Sequence, residues 1–189
     1  VEVAGRPVLH HVVFRARAAT TLSEVVVATT DSGVDDAVES ACAALGVRCY
    51  RGSETDVLDR FYRTARAFDA DPIVRITADC PLLDPRVLDD AVRLFGSGSY
   101  DYVSNAIRRT FPDGLDVEVF SRAALEAAWG ESRLASEREH VTPFLWKQPG
   151  RFRLGSLEQA EDLSALRWTV DEPEDLVPHL LVIGFGAGA

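Results

Sequence analysis

The stretch Ile73-Val-Arg-Ile-Thr-Ala-Asp-Cys-Pro-Leu-Leu-Asp84 constrains the chain more than any other. The β-branched run Ile73 to Thr77 reads as a short buried strand, and Pro81 cannot donate to a ladder, so the strand stops there. Asp84-Pro85 then opens a helix, with Asp84 as N-cap and Pro85 at the first helical position. Asp79 is thereby placed at the carboxyl end of a strand, in the crevice where open α/β sheets bind ligands. A carboxylate there suits Mg²⁺, a hard cation that takes oxygen ligands and sits between one or two carboxylates and phosphate groups. The same residue could equally do no more than cap the turn.

The unit recurs. Val8 to Ala18 has helical spacing, Glu24 to Thr29 reads as a buried strand, and Thr30-Asp31-Ser32 is a loop. Ser32 is the expected N-cap of a helix whose apolar face is Val34, Ala37, Val38, Ala41 and Leu45, stopped by Gly46. Val47 to Tyr50 is a third strand, Arg51-Gly52-Ser53 a loop, and Val57 to Phe68 an amphipathic helix; the helix after Asp84 runs from Pro85 to Phe95. Strand, loop and helix in alternation imply a mostly parallel sheet with helices on both faces.

After Gly96 the pattern changes. Tyr100 to Ser104 is strand-like, and Leu115 to Phe120 alternates, with Asp116 and Glu118 opposite an apolar face. On an antiparallel strand such a polar side commonly faces solvent. Ser121 starts a helix through Trp129, and Ser136 to Glu139 has the form of a capping box for a helix reaching Trp146. Arg151 to Leu154 and Leu166 to Val170 read as strands, and Asp171 to Glu174 as the cap of a last helix. Asp171 follows a strand as Asp79 does, and two such carboxylates favour a divalent-cation site more than either alone. Gly52 suits close approach of backbone to a ligand, with Arg51 and Ser53 as donors beside it, although an ordinary turn explains the same residues. His10 and His11, adjacent on a helix, diverge and make a poor metal pair.

Charge and composition narrow the classes. With 189 residues, 47% hydrophobic, the chain can bury one core. No apolar run is long enough to span a membrane. A net charge of −10 opposes a nucleic-acid surface. Cys42, Cys49 and Cys80 lack metal-ligand spacing and read as reduced thiols of a cytoplasmic protein. There is no Met, and the 20 basic residues include a single Lys, Lys147. The expectation is that residues precede Val1.

Several ordered segments carry a resemblance: Gly5-Arg-Pro-Val-Leu-His-His-Val12, Ala28-Thr-Thr-Asp31, Arg51-Gly-Ser-Glu54 with Asp56-Val-Leu-Asp-Arg60, Arg75-Ile-Thr-Ala-Asp-Cys-Pro-Leu82, Phe111 to Phe120, Ser136 to Pro143 and Trp168 to Leu176. Together they resemble the cytidylyltransferases of the spore-coat-polysaccharide type, relatives of the acylneuraminate and 3-deoxy-manno-octulosonate cytidylyltransferases. The resemblance implies a three-layer, Rossmann-like nucleotide-diphospho-sugar transferase fold. It also implies CTP and Mg²⁺ as co-reactants and transfer of CMP to an acidic or unusual sugar acceptor, with pyrophosphate released. On that carry-over Asp79 and Asp171 hold the metal, and Thr29, Asp31, Arg51, Gly52, Ser53 and Asp79 line the nucleotide. Asp116, Glu118, Glu139 and His140 fall on the sugar side. A homodimer is compatible with this reading.

The family's Gly-rich phosphate loop would precede Gly5-Arg6-Pro7, ahead of Val1, so residues 1–177 are expected to form the domain without that loop and to bind CTP weakly. Residues 178–189 read as a tail or as the opening of a second domain, since Leu180 to Ala189 looks like a strand entering a Gly turn. Two alternatives remain open: a nucleotide-sugar-dependent glycosyltransferase of the same fold, and a non-catalytic nucleotide-binding module.

Overall fold

The computed structural model describes residues 2–170 and the strand Leu181–Gly186. A small antiparallel pair, β1 (Glu2–Val3) and β2 (Arg6–Pro7), leads into α1 (Val8–Arg17). Then come β3 (Leu22–Thr30), α2 (Asp36–Leu45), β4 (Arg48–Gly52), α3 (Val57–Ala67), β5 (Ile73–Thr77) and α4 (Pro85–Ser97). The second half holds β6 (Tyr102–Ser104), β7 (Glu118–Phe120), α5 (Arg122–Glu131), α6 (Ala135–His140), α7 (Pro143–Trp146), β8 (Leu154–Ser156) and β9 (Leu181–Gly186).

The main sheet has the order β4-β3-β9-β5-β7-β6-β8. Its period-two side chains divide the core into layers. Val25, Val27, Val74, Ile76, Val103 and Val119 pack with Val12, Val13 and Ala16 of α1 and Leu88 and Ala91 of α4. Val26, Ala28, Ile73, Tyr102 and Phe120 pack with Leu58, Phe61 and Ala65 of α3, Leu125 of α5 and Leu145 of α7. The expected three-layer α/β architecture is therefore present.

The expectation of a mostly parallel sheet is corrected. Only β3–β4 and β6–β8 are parallel; β3–β9, β9–β5, β5–β7 and β7–β6 are antiparallel. The main cause is β9, which lies between β3 and β5, antiparallel to both. Residues 181–186, read from the sequence as a tail or the start of a second domain, are thus a central strand of this same sheet.

Local boundaries follow the sequence wherever a cap or breaker marks them. β5 has the bounds expected, the Asp84 carboxylate accepts the Arg86 N–H, and Pro85 is at the first helical position. Gly46 ends α2 with φ 60, a left-handed value that glycine adopts without steric cost. Elsewhere the structure departs from the expectation. Ser32 precedes a 3₁₀ turn, Gly33–Asp35, and α2 starts only at Asp36, which leaves Val34 76% exposed. Ser136 lies inside α6 and caps nothing; the helix begins after Leu134, whose N–H the Glu137 carboxylate accepts at 3.4 Å. Leu166 to Val170 is no strand: it is largely exposed and joins residue 113 through one isolated bridge.

Candidate active site

β3, β4, β5 and β6 run the same way, so their carboxyl ends share one edge with the amino end of the opposed β7. That edge carries, in spatial order, the loops after β4 and β3, then the turn after β5, then the Asp116–Glu118 approach to β7.

The first region is a clamp. Thr29 is fully buried and Asp31 exposed. The buried Asp35 carboxylate accepts the Thr29 hydroxyl (2.6 Å), the Thr30 N–H (2.9 Å) and the Thr30 hydroxyl (2.6 Å), all on Oδ2. Burial pushes this carboxyl up, but the Thr29 and Thr30 hydrogen bonds outweigh it and hold the pKa below 3.8. Arg51 is spent on structure. Its guanidinium donates to Asp36 (2.7 Å), Glu39 (2.9 Å), Thr30 O (2.9 Å) and Ser32 O (2.6 Å). Gly52 pairs with Thr30 in the ladder, and its carbonyl accepts the Asp31 N–H at 2.9 Å. The Ser53 carbonyl accepts the buried Arg60 guanidinium at 2.7 Å, and the Ser53 hydroxyl accepts the Asp56 N–H at 3.0 Å. These residues come together as expected, as a braced backbone surface in which Arg51 is a strut.

Asp79 sits half-buried in the turn after β5. Its Oδ1 accepts the Cys80 thiol at 3.3 Å, and among the described residues no cation pairs with it. Its backbone carbonyl accepts the Val170 N–H at 3.0 Å, which brings the end of the 157–170 segment to this turn. Asp171 lies outside the described residues. Among the described residues no group of three or more His, Cys, Asp or Glu could hold a metal. An unpaired carboxylate at a strand end fits a cation that keeps water and phosphate ligands, not one enclosed by protein.

The second region is a cavity of about 420 Å³ lined by β5, β6, β7, the 106–116 loop and α7. Arg75 and Glu118 face each other across β5 and β7 and form a buried ion pair. Glu118 Oε1 also accepts the Tyr102 hydroxyl (2.6 Å) and the Thr142 hydroxyl (2.5 Å). Burial first, and the Glu118 charge second, push the Tyr102 phenol well above its ordinary value, so it stays a donor. Thr142 is placed by an unusual bend. Val141, 1% exposed, has φ 70 and separates α6 from α7 where one continuous helix was expected. A β-branched residue in that region costs about 1–3 kcal/mol, held by the packing around it.

At the mouth, Arg109 binds Asp116 through both guanidinium arms (3.1 and 2.8 Å), while burial raises the Asp116 pKa. Asp116, Glu118 and His140 therefore meet in one cavity. Glu139 does not join them; it lines a separate groove with Glu54 and Arg138. Glu118 does not face solvent either, since it is buried behind α7 and the 106–116 loop, while Asp116 keeps 28% of its side chain exposed at the mouth. Sequence reasoning missed Asp35, Arg60, Arg75, Tyr102, Arg109 and Thr142. Two of them carried a signal: Arg75 interrupts an apolar strand, and Arg60 falls on the apolar face of α3.

With this geometry in place, residues 1–179 match the family profile described as Cytidylyltransferase. The chain belongs to that family. The resemblance seen in the sequence is thereby borne out. An uncharacterized protein of Methanocaldococcus jannaschii is 37% identical over 182 residues, 95% of this chain and 74% of the relative. The spore coat polysaccharide biosynthesis protein SpsF of Bacillus subtilis is 36% identical over 156 residues, 80% of this chain but 63% of the relative. A solved cytidylyltransferase from Leptospira borgpetersenii superposes with a TM-score of 0.88 at 33% identity, covering 93% of this chain and 74% of that one. Among the described residues, no helix is long and apolar enough to cross a membrane.

Proposed function

We propose that this cytidylyltransferase transfers CMP from CTP to a sugar hydroxyl and releases pyrophosphate, in the synthesis of a polysaccharide or glycan precursor in the cytoplasm. The observation that carries the reading is the order of parts along one sheet edge. A braced backbone surface at residues 29–31 and 51–53 stands on one side of Asp79, and an open cavity lined by two ion pairs on the other. A nucleotide laid on the first would direct its phosphates toward Asp79 and leave the cavity for the acceptor.

In this assignment the backbone of Asp31, Gly52 and Ser53 reads the cytidine, fully buried Thr29 braces that surface from beneath through Asp35, and Arg51 holds those groups in place. Asp79, together with Asp171, would hold Mg²⁺. The cation supplies charge neutralisation on the phosphate oxygens. Asp116, Glu118 and His140, with Arg75 and Arg109, position the sugar so that its hydroxyl oxygen lies in line with the α-phosphorus. The new O–P bond forms as the bond to the bridging oxygen breaks, the pyrophosphate takes that electron pair, and the hydroxyl proton leaves to base or water. Positioning of this kind accounts for much of the rate gain in such displacements.

Pyrophosphate release tests the proposal, measured on the full chain with CTP, UTP, GTP or ATP and a set of free sugars. CTP should be strongly preferred and a CMP-sugar should be found by mass. Preference for a purine nucleotide, or sugar transfer from a CDP- or UDP-sugar without pyrophosphate release, would contradict it.

A further inference from the structure

The 157–170 segment carries the chain from β8 back to the Asp79 turn, and no residue in it is buried. Leu166 and Trp168 are 45% and 38% exposed, so burial in the core does little to fix its course. Backbone hydrogen bonds to the 104–113 stretch take that role. Ser104 O accepts the Leu157 N–H at 3.1 Å, and Thr110 O accepts the Leu163 N–H at 2.8 Å. Leu166 O accepts the Asp113 N–H at 2.9 Å, and Asp113 O accepts the Trp168 N–H at 2.7 Å. Two residues later the Val170 N–H reaches Asp79 O at 3.0 Å.

Gly114 lies where that segment crosses the loop before β7. The Leu115 N–H donates to Pro112 O at 3.2 Å and closes a four-residue turn, with Gly114 at its third position and φ 101. Such a turn favours glycine for its backbone angles alone. Here space adds a second demand. A Cβ on Gly114 would lie 2.8 Å from the Trp168 carbonyl carbon and 3.0 Å from the Thr169 nitrogen, backbone atoms that cannot swing aside as a side chain can. The turn cannot retreat either. Buried Asn105 donates to Leu115 O (2.8 Å) and accepts the Val117 N–H (2.9 Å), which pins its exit. A side chain at position 114 would therefore displace the 168–170 backbone and, with it, the Val170 contact to Asp79.

We infer that Gly114 is a positioning residue for the cation site. Its missing side chain lets the Trp168–Thr169 backbone lie on the 112–115 turn, which sets Val170 against the Asp79 carbonyl immediately before Asp171. The inference rests on the assignment of Asp79 and Asp171 to Mg²⁺ under the proposed function. It gives one loop two duties, since Asp116 two residues on lines the acceptor cavity while Gly114 serves the cation side.

The test compares Gly114→Ala and Gly114→Asn with the unaltered full chain. Asparagine tolerates positive φ better than alanine but carries the same Cβ, so the pair separates lost room from backbone strain. Gly46→Ala is the control, because Gly46 has φ 60 at the end of α2 with nothing within 4 Å of an added Cβ. Amide hydrogen exchange by NMR follows the Trp168 and Val170 N–H groups, and water-proton relaxation reads binding of Mn²⁺ together with CTP. In both Gly114 variants the two amides should exchange about tenfold or more faster. Mn²⁺ affinity should fall about 10–100-fold, the loss typical when a residue supporting a metal ligand is changed. Gly46→Ala should lower the urea midpoint and leave both readouts as they are. Unchanged amide exchange or unchanged Mn²⁺ affinity in the Gly114 variants would overturn the inference, and so would an equal loss in Gly46→Ala, which would make the effect one of general stability. Failure of the unaltered protein to bind Mn²⁺ would instead remove the cation site from the proposed function, and the inference with it.

Discussion

The two regions that flank Asp79 use charge in opposite ways. Over β3 and β4, Asp35 and Arg51 turn inward on their own chain, and between them accept or donate seven hydrogen bonds that fix the 29–32 and 51–53 backbone. Beyond β5, the Arg75–Glu118 and Arg109–Asp116 pairs line an open cavity. In the first region the charged side chains serve as struts for the backbone. The second presents the side chains themselves. A charged residue in a site motif is thus no guide to contact with substrate until its partners are known.

The comparison breaks most severely at Glu118. Glu118→Ala removes the partner of buried Arg75 and the acceptor of Tyr102 and Thr142. It should cost about 3–5 kcal/mol in urea unfolding, the range for breaking a buried pair on one side. A loss below about 1 kcal/mol would mean that the cavity wall stands without this network. Asp79→Asn should behave differently. Turnover falls by about 10²–10³-fold through loss of several kcal/mol of transition-state charge stabilisation, and unfolding is unchanged. Activity within a few-fold of the unaltered protein would remove Asp79 from the metal site.

Asp35→Ala sharpens the other side. With three hydrogen bonds removed, about 2–3 kcal/mol of stability should go at pH 7. The folded pKa of Asp35 lies below its unfolded value, near 3.8, so its contribution is fully present above about pH 5 and is lost as pH falls through the folded pKa. The gap between variant and parent should therefore close in acid, and a gap constant from pH 7 to pH 3 would disprove the clamp. Arg51→Lys should have the smallest effect, about 1 kcal/mol, because an ammonium cannot reach four acceptors in a fork. Its CTP affinity should fall only as far as the loop loosens.

Much of this was legible in the sequence, for identifiable reasons. The β5–α4 unit is spelled out by local chemistry: a β-branched run, an N-cap and a proline at the first helical turn. That the loops after β3 and β4 lie together at one sheet edge was legible because they follow parallel strands. What local pattern could not give was partnership across long separations. Nothing in Leu181 to Gly186 says that it pairs antiparallel between β3 and β5. The Asp116/Glu118 alternation was visible, but the burial of Glu118 depends on α7 and the 106–116 loop, which cover it from elsewhere in the chain. Val141 at positive φ was invisible for the same reason, since tertiary packing overrides the preference of a β-branched residue.

The most direct test of the account is a crystal structure of the full chain with CTP and Mg²⁺. The cytosine should rest against the backbone of residues 29–31 and 51–53, the phosphates should extend to a cation on Asp79, and the Arg75–Glu118 cavity should stay free for the sugar. A triphosphate seated in that cavity, with Arg75 or Arg109 released from its carboxylate, would contradict the division of the edge into nucleotide and acceptor regions.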